Sequence, residues 1–190
     1  MTKRIWWLFA SLVVTACASG SSGRRPASPS APAASPFHIE GAISSLGTTR
    51  ILNDPRTVAR TIAAPVAHVW GTLPGVYDTL GIADAGADEE AKVFGRLEFR
   101  PRRLDGRMLS TFLNCGMGAT AVPKADDYDI TMSVLTQVKP GGDGATILAT
   151  TVLASGKPRA ESGNAVYCDS RGTLEARIFD MVLRALDGAR

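Results

Sequence analysis

The segment from Tyr128 to Val138 constrains the fold more than any other part of this sequence. Large, mostly apolar residues alternate along it with mostly polar ones: Tyr128, Ile130, Met132, Val134, Thr136 and Val138 hold the even positions. Successive side chains of a β-strand point to opposite faces, so this period predicts a half-buried strand. A second run rich in Thr, Ile, Val and Leu, residues 145–154, follows the turn 139–144. Together the two runs predict a β-hairpin.

A second hairpin is predicted earlier in the chain. Residues 92–100 and 107–115 would be its strands, and the turn would lie at Asp105-Gly106, since both residue types tolerate positive φ. Residues 56–62 predict one further strand.

Two helical segments accompany these strands. Residues 65–73 carry apolar residues at helical spacing after Pro65, which suits a first helical turn; Pro74 and Gly75 are expected to interrupt this helix, with a short second helix beyond them. Near the end, Asp169 or Ser170 is expected to cap a helix that reaches about Leu186.

The helix near the end of the chain is amphipathic. Leu174, Ile178, Val182 and Leu186 recur every four residues, whereas Glu175 and Arg177 are expected on the opposite, solvent face. The apolar face needs an apolar partner, and a sheet with one apolar face provides it. The predicted fold class is therefore α+β, with a curved antiparallel sheet against a long C-terminal helix.

One stretch resembles a known family. Residues 62–73 contain Ala64-Pro65 followed by Val66, Val69 and Trp70, which is similar to the strand end and first helix of the helix-grip (SRPBCC) family of START domains, polyketide cyclases and the major birch-pollen allergen. The order of segments from Arg56 to Leu186 also fits. This resemblance implies a sheet that grips the C-terminal helix around an apolar cavity for lipids, sterols or aromatic polyketides.

The resemblance implies a set of cavity-lining side chains on the helices and strands. These are Trp70, Tyr77, Leu97, Phe99, Phe112, Ile130, Met132, Val134, Ile178 and Val182. The alternative is that the same apolar side chains fill the core completely.

The N-terminus has the layout of a secretory signal peptide, residues 1–16. Lys3 and Arg4 precede the apolar stretch 5–14, which is shorter than the roughly 20 residues a membrane-spanning helix needs. Residues 14–17, Val-Thr-Ala-Cys, resemble the bacterial lipobox. By that resemblance the leader is cleaved before Cys17, which is then lipidated and anchors the chain. The alternative is an ordinary signal peptide cleaved near Ala18.

After Cys17 the composition changes. Residues 18–36 are almost wholly Ala, Ser, Gly and Pro, with no aromatic or large aliphatic side chain, so residues 17–36 are expected to form a disordered tether and residues 37–190 one domain. Ala18, where an Asp would favour the inner membrane, points to the outer membrane and its periplasmic face. The expected location is the bacterial cell envelope.

The net charge of +3 does not indicate nucleic-acid binding. Lys3 and Arg4 lie in the leader and Arg24 and Arg25 in the tether, so the domain itself is nearly neutral. One local excess remains at Arg96, Arg100, Arg102, Arg103 and Arg107. It predicts a solvated hairpin with snorkelling arginines; the alternative is contact with anionic lipid headgroups or an acidic ligand.

With Cys17 assigned to the lipid, Cys115 and Cys168 remain as one pair in an oxidising compartment, which predicts a disulfide. A catalytic thiol at Cys115 is the alternative. The two candidate partners for such a thiol, His38 and His68, are far earlier in the chain, and His68 is expected on a helix surface.

No catalytic residue, metal site or cofactor is predicted. Asp126, Asp127 and Asp129 lack the glycine and terminal Glu of an EF-hand loop, and Ser162 lacks the Gly-x-Ser-x-Gly context of a hydrolase. The expected function is a non-enzymatic, membrane-anchored lipoprotein domain, monomeric, that binds an apolar small molecule or lipid. The alternatives are a cyclase- or hydratase-like enzyme and an envelope protein-interaction module with a filled core.

Overall fold

The computed structural model describes residues 57–159 and 163–189. The predicted leader, the lipidation site at Cys17, the tether, His38 and Ser162 lie outside these residues. Within them the strands and helices are as follows: β1 Thr57–Ile62, α1 Val66–Leu80, β2 Gly86–Asp88, β3 Val93–Phe99, β4 Arg103–Leu104, β5 Arg107–Met108, β6 Leu113–Asn114, α2 Lys124–Asp127, β7 Asp129–Pro140, β8 Thr146–Lys157, β9 Val166–Ser170 and α3 Thr173–Gly188.

The fold is α+β, as predicted, with a curved sheet in the order β2-β3-β7-β8-β9-β6 and β1 beside β8. All its strand pairs are antiparallel. The predicted hairpin is β7–β8, which runs in register from Asp129 opposite Lys157 to Pro140 opposite Thr146. The edge of β8 that faces away from β7 has two partner strands. β1 pairs with the first half of β8 and β9 with the second half.

The prediction of a half-buried strand is wrong for the centre of β7, which is buried on both faces. Two polar side chains on the second face form hydrogen bonds with residues in and just before β3. Ser133 Oγ accepts a hydrogen bond from the Glu98 amide, and Gln137 Nε2 donates one to the Ala91 carbonyl. Leu135 lies across Gly95, where a Cβ would be 2.2 Å from the Val134 carbonyl oxygen. Glycine at 95 is therefore what lets β3 approach β7 so closely.

The second predicted hairpin is wrong in its pairing. Strand β3 pairs with β2 and β7, whereas β6, inside the expected partner segment, pairs with β9. Only the turn is as expected: Asp105 and Gly106 have φ of 50° and 68° and join the short strands β4 and β5. Burial explains the difference, because Leu109 and Phe112 turn inward through a 3-10 turn instead of continuing a strand.

Helix α1 is continuous through Pro74, so the expected interruption is wrong. Pro74 lacks the N–H that would bond within the helix, which costs stability. Leu73, Val76, Tyr77 and Leu80, on both sides of Pro74, are nonetheless buried on one face. We attribute the continuity of the helix to this burial, which outweighs one lost hydrogen bond.

Helix α3 begins at Thr173 with Gly172 as its N-cap residue, so the expected cap at Asp169 or Ser170 is wrong. Ser170 contacts the start of the helix from outside it. Ser170 Oγ accepts a hydrogen bond from the Gly172 amide and donates one to Glu175 Oε1 at 2.6 Å. Glu175 is only 2% exposed, so its expected place on the solvent face is wrong. The reason is tertiary, since the bond to Ser170 holds the carboxylate against the end of β9.

Both long helices lie on the same face of the sheet. Tyr77 of α1 reaches Thr136 of β7, and Phe179 of α3 lies under the guanidinium of Arg60 of β1. The core is the layer between these helices and the sheet. Among the described residues there is no helix long and apolar enough to cross a membrane.

Candidate functional site

The layer between the helices and the sheet is where a ligand chamber was expected. Most of the predicted lining residues do meet there: Tyr77, Phe99, Phe112, Ile130, Met132, Val134, Ile178 and Val182 belong to one buried cluster. Trp70 packs against this cluster from its rim. Leu97 does not join it, because it lies in the bulge between Arg96 and Phe99, where β3 changes register against β7.

The packing at these positions is tight. Apart from Phe99, at 8%, every member of the buried set is at most 2% exposed. A water-sized space beside these side chains would expose part of their surface. The interior is therefore filled at these positions, as in an ordinary protein core.

Tyr77 places a polar hydroxyl group at the centre of this layer. Its hydroxyl donates to the Phe94 carbonyl oxygen at 3.3 Å and lies 2.8 Å from Thr136 Oγ1, which lies 3.0 Å from Thr150 Oγ1. With the Tyr77 proton directed to Phe94, the other two bonds are satisfied by the threonine protons. Desolvation by burial raises the pKa of Tyr77 well above its ordinary value, and the hydrogen bond with Thr136 offsets this only in part.

The sequence contained a signal for this network. Thr136 and Thr150 are hydroxyl residues on the helix-facing side of two strands rich in apolar residues, and they are directly opposite each other in the β7–β8 register. Period alone could not show that Tyr77 of a helix fifty-nine residues away would complete it.

Trp70 closes the rim of the layer. Its Nε1 donates to Glu89 Oε1 at 3.1 Å, and Lys92 Nζ lies 2.7 Å from Glu89 Oε2 and 5.0 Å from the centre of the indole ring. The hydrogen bonds from Lys92 and Trp70 lower the pKa of Glu89. These contacts hold the loop after β2 against the N-terminal half of α1.

Among the residues that the structure describes, the candidate proton-transfer side chains His68 and Glu175 do not bond to Tyr77. His68 is exposed on α1, as expected, and the buried Glu175 is bonded to Ser170 at the other end of the sheet. Within the described residues, the hydrogen-bond partners of the Tyr77 hydroxyl are a threonine and a backbone carbonyl.

Cys115 and Cys168 form the expected disulfide, with their sulfurs 1.98 Å apart. Cys115 directly follows β6, and the pairing of Leu113 with Ser170 and Asn114 with Asp169 brings it opposite Cys168 of β9. Because its sulfur is bonded, Cys115 cannot serve as the catalytic thiol that was the alternative.

Two of the three aspartates at positions 126, 127 and 129 bond to different groups. Asp126 Oδ1 accepts a hydrogen bond from the Ser110 amide, and Asp129 forms ion pairs with Arg102 and Arg159 at 3.4 and 3.2 Å. In the part of the chain that the structure describes, no group of three or more His, Cys, Asp or Glu residues is placed to hold a metal ion.

The arginines divide into two sites. Arg96 pairs with Asp84 at 3.1 Å and donates to the Ala83 carbonyl, beside the end of α1. The others flank the β4–β5 turn, and we call residues 100–108 the arginine hairpin. Arg103 donates to the Gly106 carbonyl at 3.1 Å, and Arg107 lies 3.9 Å from Asp105.

Comparison with known proteins identifies no relative that could assign a function. No family model matches the chain, and no curated protein matches it. One similar solved structure is an uncharacterized protein from Bacillus thuringiensis, 15% identical, with 71% of this chain and 97% of that chain covered and a TM-score of 0.28. At this TM-score the similarity supports no inference about fold or function.

Proposed function

We propose that this protein is a lipid-anchored envelope protein whose folded domain acts through its surface and does not enclose a ligand. The filled layer between the helices and the sheet is the observation that carries this choice, since seven of the ten side chains expected to line a chamber are at most 2% exposed. The leader and the lipobox-like residues 14–17 support export and anchoring. The proposed location is the periplasmic face of the outer membrane.

The assignment of the domain to the helix-grip fold is part of this proposal. A curved antiparallel sheet, a helix directly after β1 and a long helix after the last strand support a helix-grip domain. The apolar-ligand function of such domains would need the core to open. The enzyme alternative would need polar groups around Tyr77 beyond Thr136 and the Phe94 carbonyl. A protein-interaction module requires neither an open core nor further polar groups around Tyr77.

Overpacking tests the filled core. Val134→Phe adds a ring to a side chain that is 0% exposed, and Val122→Phe adds the same ring to one that is 41% exposed. We expect Val134→Phe to lower the free energy of unfolding in urea by about 1–3 kcal/mol and Val122→Phe to change it little. If Val134→Phe left stability unchanged, an open chamber would be the better explanation and the ligand-binding function would return.

Metabolic labelling with a radioactive fatty acid tests the anchor. We expect label on the wild type and on the Cys115→Ser variant, and none on Cys17→Ser. Native mass spectrometry of the detergent-purified protein should find the covalent lipid and no second, non-covalent lipid at one-to-one stoichiometry. An unlabelled wild type would overturn the anchor, and a stoichiometric bound lipid would overturn the filled core.

A further inference from the structure

The arginine hairpin packs against the body of the domain. Leu104 is 1% exposed beneath it, and the Asp105 amide donates to the Leu80 carbonyl at the end of α1. On the helix side, Arg177 of α3 pairs with Asp105 at 3.0 Å. The hairpin therefore contacts both long helices.

The outer side of this hairpin combines a charge with an apolar group. Arg103 is paired directly with Met108 across the two strands, so their side chains share one face, opposite to the buried Leu104. Both are exposed, and Met108 is 40% exposed. A methionine beside a guanidinium on a protruding turn is a chemistry that suits a lipid–water boundary.

The charges around the tip are not balanced. Two carboxylates form ion pairs with four arginines. Asp129 pairs with Arg102 and Arg159. Asp105 pairs with Arg177 and, at 3.9 Å, with Arg107. A third carboxylate, that of Asp126, accepts a hydrogen bond from the Ser110 amide. Neither Arg100 nor Arg103 has an ion-pair partner among the described residues.

We propose that the arginine hairpin is a second membrane contact, which binds the phosphates of anionic phospholipid headgroups while Met108 enters the boundary below them. Guanidinium groups bind phosphate oxygens through paired hydrogen bonds. A weak contact is enough for a domain that its own lipid already holds at the surface, so this proposal rests on the proposed function.

Hydrogen exchange of the full lipoprotein, reconstituted in vesicles, tests the contact. The vesicles contain phosphatidylcholine alone or with about 30% phosphatidylglycerol, an anionic lipid. We expect amides of residues 100–108 to exchange about tenfold more slowly on the anionic vesicles, and this protection to disappear in high salt. Equal exchange on both kinds of vesicle would overturn the proposal.

Arg103→Glu and Arg184→Glu form a matched pair, since both arginines are exposed and Arg184 lies outside the hairpin on α3. We expect Arg103→Glu to abolish the protection and Arg184→Glu to keep it. Equal loss in both variants would mean general charge attraction and overturn the hairpin as the contact, as would protection that needs an added envelope protein extract. Flotation of the vesicles before exchange reports the anchor separately, so a protein that fails to float would count against the proposed function.

Discussion

Tyr77 places a hydroxyl group in the centre of an apolar layer, and its ionisation links stability to alkaline pH. The pKa of Tyr77 is raised in the folded protein, because the phenolate would have to be buried. The neutral form is therefore favoured by folding. Below the unfolded value of about 10 this preference is fully present, and it is lost as pH rises towards the folded pKa.

We expect the wild type to lose about 1.4 kcal/mol of stability per pH unit above pH 10 relative to Tyr77→Phe. Urea unfolding of both proteins between pH 8 and 11 measures this difference. Tyr167→Phe, which changes a tyrosine that is 58% exposed, is the control and should follow the wild type. Parallel curves for wild type and Tyr77→Phe would contradict the burial of this hydroxyl.

A glycine is required at position 95 because β3 and β7 approach each other closely there. A Cβ at this position would be 2.2 Å from the Val134 carbonyl and 2.9 Å from Leu135 Cα, so two paired strands would have to separate. We expect Gly95→Ala to destabilise the domain by about 2 kcal/mol or more, by chemical denaturation. Gly71→Ala is the control: it lies in α1 with nothing within 4 Å of its Cβ, and should stabilise by about 0.5–1 kcal/mol. Equal effects would exclude the close approach.

At the scale of elements, the disulfide makes a measurable contribution. The cysteines are 53 residues apart, and in the chain-entropy model a loop of this size gives about 4 kcal/mol as an upper value. We expect the Cys115→Ser, Cys168→Ser double variant to lose up to this amount in urea unfolding. Cys17→Ser, which removes a sulfur without opening the bridge, should leave the unfolding free energy unchanged. A double variant as stable as the wild type would contradict the prediction.

The elements that the sequence predicted are those with a repeated local period or another local signal. β7 and the helix now seen as α3 carry such a period, whereas β8 was predicted from its composition and the Asp105-Gly106 turn from its residue types. Strands β2, β6 and β9 are two to five residues long, too short for a period to show. Their existence depends on the partner strand, which is distant in sequence.

The errors have the same origin. Glu175 and Pro74 both break a local rule, the first for a charged residue on an amphipathic helix and the second for a helix interior. In each case a contact made by the folded chain decides the outcome: the bond to Ser170 for Glu175, and the burial of Leu73 and Tyr77 around Pro74. No pattern within one segment contains these contacts.

For the whole molecule, the sheet order predicts where the domain opens first. β7 and β8 pair along their full length and have partners on both outer edges, whereas β2 and the β4–β5 hairpin have few partners. We expect hydrogen exchange in solution to be slowest at the centre of β7 and β8 and fastest in β2 and the hairpin. Slower exchange in β2 than in β7 would contradict this order.

The candidate site shows how far the sequence could be used. The resemblance to the helix-grip family named a set of lining residues, and most of them lie in one buried layer. It could not show whether that layer encloses a space, because a few ångströms between helix and sheet separate a chamber from a core. That distance depends on how Tyr77, Met132, Ile178 and their neighbours fit together.

The bridge between Cys115 and Cys168 also orders events during biosynthesis. The chain emerges from its N-terminal end, so the first thiol appears 53 residues before its partner. The whole of β7–β8 lies in this interval, so both strands of the central hairpin are made before Cys168. The bridge therefore cannot close before the chain contains the strands of its central hairpin, and a free thiol at Cys115 would mark a chain that has not yet joined these two cysteines.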